Sequence, residues 1–307
     1  MTGDRFDLHE LMLSDVDKRQ AALLGPFTNK VADHFQHSQV ALPERMYHYT
    51  TLPVGQSILE NREFWLFSIF DPASEETQGA GTIDQREVIA GLEIICDEVT
   101  RSFSTGDRKA FRIFGEKFES TLKAHYRQIA TVHMLCVAAK PSPHLWEEAS
   151  KRGDPACVAL PRALFEEWCH QQEDRTGDSS SGQYYPSAVC YEADELRQRV
   201  RPFCQAAVET LDRAISEANG DSDFVWAIMR ELSKQLSLPL LTEAYAFKSP
   251  DFALEDEIRL LKVFPYGFEA LGQSEYDGRR RIIEKVGRHL PIELITDHTD
   301  LVKSEPS

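Results

Sequence analysis

The sequence predicts an α+β fold, in which helices surround a mixed or antiparallel central sheet. Two observations carry this prediction. Short β-prone segments occur singly or in pairs between long amphipathic segments. The regular alternation of strand, glycine turn and helix that is typical of parallel α/β folds is missing. The composition, with 42% hydrophobic and 27% charged residues, is ordinary for a globular protein and excludes collagen-like and wholly disordered classes.

The chain is expected to begin with a helical extension over residues 1–44. Apolar residues recur at helical spacing up to Leu23, and Gly25-Pro26 is expected to end that helix before a second short one over Asn29–Gln36. Residues 45–296 are predicted to form a single α+β domain, and residues 297–307 a disordered tail. The extension could dock a protein partner or a second copy of the chain.

The elements of the domain are assigned from β propensity, hydrophobic spacing and breaker residues. Strands are predicted over Arg45–Thr50, Phe64–Ser68, Thr131–Ala138, Ala156–Leu160, Tyr184–Tyr191, Leu240–Phe247, Glu257–Phe264 and Ile292–Ile295. A helix capped by Thr50 or Thr51 is predicted to end near Asn61. Further helices are predicted over Asp84–Phe103, Asp107–Gln128, Leu145–Lys151, Pro161–His170, Asp194–Glu217, Asp223–Leu236 and Glu275–Arg288. Polar loops are predicted over Asp71–Thr82 and Glu173–Gln183.

The charge and cysteine content predict a cytoplasmic protein. Fifty acidic residues against 34 basic ones give a net charge of −16, which argues against a nucleic-acid scaffold. The apolar runs are shorter than the roughly 20 residues that span a membrane, and the acidic N-terminus does not resemble a secretory signal. Six cysteines without a close pairing pattern indicate reduced thiols.

Motifs for common nucleotide-binding turns, hydrolase elbows and metal sites are missing from the sequence. His34-x-x-His37 has no nearby third ligand, so both histidines are interpreted as surface residues. His133-x-x-Cys136 lies on an apolar strand and is interpreted as part of the core. No metal site is therefore predicted.

The first candidate site is the segment Tyr47-His48-Tyr49-Thr50. On a strand, Tyr47 and Tyr49 share one face, and His48 and Thr50 share the other. His48 and Thr50 could present two polar groups to a ligand. The alternative is an edge strand whose histidine bonds a neighbouring carbonyl.

The second candidate site is the segment from Lys248 to Leu260. Glu255, Glu257 and Arg259 alternate onto one face, where the two carboxylates repel each other unless Arg259 compensates. Such a face could do electrostatic or acid–base work on a cationic substrate. The alternative is a solvated edge strand with a local ion pair.

An ordered series of motifs runs from Tyr47 to Ile295. Its main members are Tyr47-His48-Tyr49-Thr50-Thr51, Ile58-Leu59-Glu60, Phe64-Trp65-Leu66-Phe67-Ser68, and the set formed by Lys248, Phe252, Glu255, Glu257, Ile258 and Arg259. The series resembles the bacterial domain-of-unknown-function family numbered 2971, whose members close with Lys-x-x-x-Phe-x-x-Glu-x-Glu-Trp-Arg. Asp71, Ala149 and Ile258 stand where that family usually has Asn, Tyr and Trp.

Tyr47-His48-Tyr49-Thr50 is also similar to the Tyr-His-Gly-Thr motif of the diphtheria-toxin-like and poly-ADP-ribosyl transferases, although Tyr49 replaces the usual Gly. That superfamily has a split-sheet fold and uses NAD as its substrate. The resemblance implies that His48 holds the ribose of NAD, that an aromatic residue of Phe64–Phe67 stacks on nicotinamide, and that Glu257 binds the ribose 2′-hydroxyl.

The resemblance thus implies two catalytic residues, Glu257 and His48. The residues expected to bind NAD are Tyr47, Tyr49, Thr50, Trp65, Ser68, Lys248, Glu255 and Arg259. The expected function is that of an ADP-ribosyltransferase-like domain, which cleaves the nicotinamide–ribose bond and could transfer ADP-ribose to a macromolecular acceptor. The alternative is a non-catalytic interaction or regulatory module on the same fold, in a bacterial defence or stress response.

Overall fold

A computed structural model describes residues 18–37, 42–69, 83–104, 109–173, 182–265, 274–276 and 279–303. The strands in these ranges are β1 (Arg45–Thr51), β2 (Glu63–Ser68), β3 (Ala130–Ala138), β4 (Pro155–Pro161), β5 (Gln183–Ala188), β6 (Glu257–Pro265), β7 (Ser274–Tyr276), β8 (Arg279–Lys285) and β9 (Glu293–Ile295). The helices are α1 (Lys18–His37), α2 (Leu52–Asn61), α3 (Ile83–Ser104), α4 (Lys109–Ile129), α5 (Pro143–Ser150), α6 (Arg162–Glu173), α7 (Ala193–Glu217), α8 (Ser222–Tyr245) and α9 (His298–Lys303). A short 3₁₀ helix covers Pro250–Glu255.

The chain forms two compact units that interleave along the sequence. The described residues within 1–38, 83–130 and 190–248 form the helical unit, which holds α1, α3, α4, α7 and α8. The described residues within 39–82, 131–189 and 249–307 form the sheet unit, which holds the strands and the shorter helices. The sequence analysis did not predict this interleaving, because no composition change marks the points where the chain passes between the units.

The sheet is open, and its registered strand pairs are antiparallel, so the predicted α+β class with an antiparallel sheet is confirmed. Its main path runs β7-β8-β2-β3-β1-β4-β9, while β6 pairs with β3 and β5. Strand β3 thus pairs with three strands, although a strand has only two hydrogen-bonding edges. Two of its partners must therefore share an edge.

The backbone hydrogen bonds show which partners share it. The Val132 carbonyl accepts from the Ile69 amide just after β2, whereas the Ala139 amide donates to the Asp256 carbonyl just before β6. The backbone groups of successive residues in a strand point to opposite edges. The Cys136 carbonyl, four residues after Val132, therefore points to the same edge as the Val132 carbonyl, and the Ala139 amide points to the other edge. Strands β2 and β1 therefore follow each other along one edge of β3. We call the point between them, at Cys136, the fork.

Two clusters of buried side chains lie on opposite faces of this sheet. The larger one, which we call the main core, contains Met46, Leu66, Leu135, Leu160 and Ile258. The smaller one contains Tyr47, Ala138, Cys157, Ala159, Ile295 and Leu301. Because neighbouring residues of β1 belong to different clusters, each face of the sheet is identified by the cluster it carries.

Helix α1 differs from its prediction, because it runs through Gly25 and Pro26 to His37 without a break. Leu24 and Phe27 are buried on either side of the proline, so burial in the helical unit outweighs the local cost of the breaker residues. Leu23, Leu24, Phe27 and Val31 of α1 are all buried within the chain. Residues 1–17 of the predicted docking extension lie outside the described residues.

Three further assignments near the C-terminus were wrong. The strand predicted over Leu240–Phe247 is the end of α8, and the helix predicted over Glu275–Arg288 is the antiparallel pair β7–β8. The tail predicted from residue 297 begins with helix α9, which forms because Leu301 is fully buried in the smaller cluster. The predicted loop Asp71–Thr82 lies outside the described residues.

Candidate functional site

Strand alternation divides the predicted site residues between the two faces of the sheet. On β1, His48 and Thr50 share the face of Met46 and the main core, and Tyr49 shares the face of Tyr47. We call this second face, which carries Tyr47 and Tyr49, the tyrosine face.

The same argument places the residues of β2 and β6. Phe64 and Leu66 belong to the main core, so Ser68 shares their face and Trp65 lies on the tyrosine face. On β6, Ile258 and Leu260 belong to the main core, which puts Glu257 and Arg259 on the tyrosine face. The tyrosine face therefore carries Tyr47, Tyr49, Trp65, Glu257 and Arg259, whereas His48, Thr50 and Ser68 lie on the other face. The structure does not bring His48 and Glu257 together on one face.

His48 lies at the fork, where its imidazole replaces a backbone pairing. Its Nδ1 lies 3.0 Å from the Cys136 carbonyl, and its ring contacts Phe64 edge-on at 5.7 Å. Since a carbonyl only accepts hydrogen bonds, Nδ1 carries the proton and donates it. Burial lowers the pKa of His48, the Cys136 hydrogen bond opposes that effect, and the charge of Arg152 lowers the pKa further. The predicted contact of the histidine with a neighbouring carbonyl is confirmed, but the edge position predicted with it is wrong, because β1 pairs with both β3 and β4.

Tyr49 is fixed on the tyrosine face by its hydroxyl group. The Ser142 amide donates to the Tyr49 hydroxyl oxygen at 2.6 Å, and Leu145 and Trp146 of α5 pack against the same cluster. Burial raises the pKa of Tyr49, so the phenol stays protonated at neutral pH and can donate its own hydrogen to a ligand.

Glu257 and Arg259 form a buried ion pair. The Arg259 Nε donates to the Glu257 carboxylate at 2.8 Å, and the exposed fractions of the two residues are 0% for Arg259 and 6% for Glu257. Strand β6 lies between β3 and β5, so the predicted alternative of a solvated edge strand is wrong. The pairing is a consequence of burial, because an ionised carboxylate inside a protein needs a charged or hydrogen-bonding partner. Glu255, at the end of the 3₁₀ helix, is also buried.

Trp65 contacts a residue that the sequence analysis did not assign to the site. The guanidinium carbon of Arg281 lies 3.6 Å from the centre of the Trp65 ring, and Phe67 lies 6.5 Å from that ring, centre to centre. Arg281 stands opposite Phe67 in the β2–β8 pairing, so it shares the tyrosine face. The run Arg279-Arg280-Arg281 was the available signal, but the segment was assigned to a helix.

Lys248 is the last residue of the helical unit rather than part of the sheet unit. Its amide donates to the Cys190 carbonyl at 3.0 Å, and the residue is buried. Ser68 and Thr50 are likewise buried on the main-core face. The predicted binding set is therefore distributed over two units and two faces.

Comparisons with known proteins add no identification. The chain matches no protein-family model, and searches of curated proteins and of solved structures gave no match. The resemblances to the family numbered 2971 and to ADP-ribosyltransferases therefore stay predictions. Within the described ranges, no three His, Cys, Asp or Glu residues are grouped as metal ligands. No described helix combines the length and the apolar character needed to cross a bilayer.

Proposed function

We propose that the tyrosine face binds NAD or a related nucleotide, and that the chain is an ADP-ribosyltransferase-like enzyme. The observation that carries this proposal is that Tyr49, Trp65 and Glu257, from three different strands, share one face of the sheet. An aromatic ring and a carboxylate are the two groups that recognition of a nicotinamide riboside requires, one for stacking and one for hydroxyl binding. In this arrangement Tyr49, not His48, supplies the polar group of the first strand.

The proposed chemistry uses the negative charge of Glu257. When the nicotinamide–ribose bond breaks, its electron pair leaves with nicotinamide and positive charge develops on the ribose, which a fixed carboxylate stabilises more strongly than it stabilises the substrate. Arg259 holds that carboxylate in place through the 2.8 Å hydrogen bond. The ribose then forms a bond to water or to a nucleophile of the acceptor, which loses a proton.

Titration calorimetry with NAD tests the binding surface. We expect Trp65→Ala to weaken NAD binding about tenfold, since loss of an aromatic contact costs about 1–3 kcal/mol. His48→Gln serves as the matched control on the opposite face, and we expect it to leave the NAD affinity unchanged. The proposal is overturned if the wild-type chain does not bind NAD, or if His48→Gln alone abolishes binding.

Nicotinamide release tests the chemical step separately. We expect the wild-type chain to release nicotinamide and Glu257→Gln to lose that activity while still binding NAD. Because Glu257→Gln leaves Arg259 without its carboxylate partner, its thermal melting is measured in parallel, and Glu257→Asp provides a variant that keeps the charge. Release that continues in a folded Glu257→Gln chain rules out the proposed role of Glu257.

A second candidate function is a non-catalytic interaction or regulatory module. It is favoured by the ion pair of Glu257 with a fully buried Arg259 and by the position of His48 on the opposite face. In this case, the wild-type chain releases no nicotinamide with any acceptor tried, whether or not it binds NAD. The two candidates therefore differ in one measurement, nicotinamide release at saturating NAD.

We also propose a cytoplasmic location. The six cysteines, all of which lie in the described ranges, form no disulfide, and four of them are fully buried. Burial raises the pKa of Cys96 to about 11, which keeps that thiol protonated and unreactive. Cysteines without disulfides are typical of proteins in a reducing compartment.

A further inference from the structure

An exposed tryptophan lies on the helical unit, away from the residues of the candidate site. Trp226 of α8 exposes 45% of its surface, whereas Trp65 and Trp146 are half-buried and Trp168 is buried. An exposed indole leaves a large apolar area in water, and tryptophan is enriched where a protein surface binds a partner. The charges around the Trp226 ring indicate the chemistry of what binds there.

Two cations flank the Trp226 ring. The Lys117 ammonium of α4 lies 4.5 Å from the ring centre, and within the described ranges Lys117 forms no ion pair. Arg230 follows Trp226 by one helical turn, and 66% of its side chain is exposed. Its Nε lies 3.3 Å from the Glu231 carboxylate, which Lys234 also contacts at 3.0 Å, so one acid faces two cations. We call Trp226, Lys117 and Arg230 the tryptophan patch.

The neighbouring acids do not cancel the positive charge of this patch. Glu116, beside Lys117, lies 3.9 Å from the Arg112 guanidinium, which offsets its charge. Asp223 lies in the first turn of α8, where the helix dipole stabilises a carboxylate. The patch is therefore a cationic site with an apolar centre, on a chain whose net charge is −16.

The chain itself contains a segment of complementary character. Residues 1–17 carry five acidic side chains and one arginine. Leu8, Leu11, Met12 and Val16 recur every three or four residues, which is the spacing of an amphipathic helix. Such a helix presents an apolar stripe beside acidic residues, which matches an apolar ring between two cations.

This segment joins the described chain near the tryptophan patch. At the start of α1, the Arg19 guanidinium carbon lies 3.9 Å from the centre of the Phe224 ring, and Phe224 precedes Trp226 by two residues in α8. A chain of 17 residues spans about 25 Å as a helix and more when it is extended. The segment is therefore long enough to reach the patch of its own chain.

We infer that residues 1–17 bind the tryptophan patch of the same chain, with their apolar side chains on the Trp226 ring and their carboxylates on Lys117 and Arg230. The inference does not depend on the proposed function, because the patch lies in the helical unit.

Binding within one chain fits the small size of the patch. A stable dimer buries at least about 1,000 Å², which is far more than three side chains supply. The net charge of −16 also makes two copies of the chain repel each other. A tethered segment needs less buried area, because the tether holds it at an effective concentration in the millimolar range.

Amide hydrogen exchange of the full chain, measured by mass spectrometry, tests this inference. We expect the amides of residues 6–16 to exchange at least about tenfold more slowly in the wild type than in Trp226→Ala. The double variant Lys117→Glu with Arg230→Glu should show the same loss of protection. Lys30→Glu is the matched control, because it reverses an exposed charge in the middle of α1, and we expect wild-type protection in it.

A charge-reversal rescue separates binding from a general loss of stability. Adding Asp7→Lys and Glu10→Lys to the Lys117→Glu and Arg230→Glu chain should restore part of the protection, because the two signs are exchanged across the same contact. Thermal melting of each variant is measured in parallel, and we expect small shifts because the substituted side chains of the patch are exposed.

Three results would overturn the inference. The first is that residues 1–17 of the wild type exchange as fast as an unstructured peptide. The second is that their protection survives in Trp226→Ala and in the Lys117→Glu and Arg230→Glu variant, or is lost equally in Lys30→Glu. The third is protection that appears only at high protein concentration, because a second copy of the chain then supplies the segment.

Discussion

His48 is the residue through which we expect the stability of the chain to depend on pH. Burial lowers its pKa below the ordinary value of 6.5, so the unfolded chain takes up a proton at a higher pH than the folded chain. The stability is therefore fully present above about pH 6.5 and is lost as the pH falls toward the pKa of the folded state. Urea denaturation of wild type and His48→Gln at pH 8, 6.5 and 5 measures this loss.

Between pH 8 and pH 5, we expect the free energy of unfolding to fall less for His48→Gln than for the wild type. At pH 8 the variant is less stable, because it loses the hydrogen bond from Nδ1 to the Cys136 carbonyl at the fork. Parallel pH profiles for the two proteins would show that His48 does not contribute to the acid sensitivity.

Gly182 should not tolerate alanine, whereas Gly25 should. Gly182, just before β5, has a φ of +65°, and an added Cβ would lie 2.6 Å from the Phe264 ring. Gly25 lies inside α1, and apart from its chain neighbours and the backbone of the helix no atom lies within 4 Å of an added Cβ. We expect Gly182→Ala to cost about 1–3 kcal/mol. We expect Gly25→Ala to change the stability by less than about 1 kcal/mol, because the higher helix propensity of alanine is offset by the contact of its Cβ with the Pro26 ring. Thermal melting of both variants is the measurement, and an equal loss of stability in the two variants contradicts the prediction.

The sequence predicts the local geometry of the site residues but not their grouping. Strand alternation alone separates Tyr47 and Tyr49 from His48 and Thr50, and the two buried clusters confirm that separation. Whether His48 or Tyr49 shares a face with Glu257 depends on how β1, β3 and β6 are paired. Tyr47 pairs with Ala138 and the Ala139 amide bonds the Asp256 carbonyl, so each pairing joins residues about a hundred positions apart, and one sequence contains no signal for it.

At the scale of elements, burial explains which assignments failed. From Gln235 to Tyr245, every residue of α8 is buried, so the apolar residues show no period that separates a helix from a strand. In β8, Ile282 is buried and Ile283 is partly exposed, which is the alternation of a strand. The dipeptide Asp277-Gly278 between β7 and β8 is a hairpin signal that the helical assignment ignored.

The continuous helix α1 predicts a stabilising substitution. Pro26 is exposed in the middle of the helix, where it has no amide to donate to the carbonyl one turn earlier. Pro26→Ala restores that donor without changing a buried side chain, and we expect about 1–3 kcal/mol of added stability. The urea concentration at the unfolding midpoint and the helical circular dichroism signal should both be higher than in the wild type. If α1 instead needs a proline kink for packing, Pro26→Ala will lower the stability.

At the scale of the molecule, four of the five helices of the helical unit, α3, α4, α7 and α8, are insertions between antiparallel neighbours of the sheet. Strands β2 and β3 are antiparallel neighbours, and the chain between them contains α3 and α4. Strands β5 and β6 are also antiparallel neighbours, and the chain between them contains α7 and α8. The Ile69 amide bonds the Val132 carbonyl, and the Val189 amide bonds the Glu257 carbonyl, so the sheet closes across each insertion. The sheet can therefore keep its strand pairing while an insertion unfolds.

Two core variants test whether the units open separately. Leu236 in α8 and Leu160 in β4 are each fully buried, in the helical unit and the sheet unit respectively. Replacing either leucine by alanine should cost about 2–5 kcal/mol. We expect Leu236→Ala to raise amide hydrogen exchange in α1, α3, α4, α7 and α8, while β1, β2 and β4 keep the protection of the wild type. Leu160→Ala should show the reverse pattern, because hydrogen exchange reports the stability of each cooperative unit. If either variant raises exchange equally in helices and strands, the two units open as one, and the closed strand pairs at the insertions do not isolate the sheet from the helices.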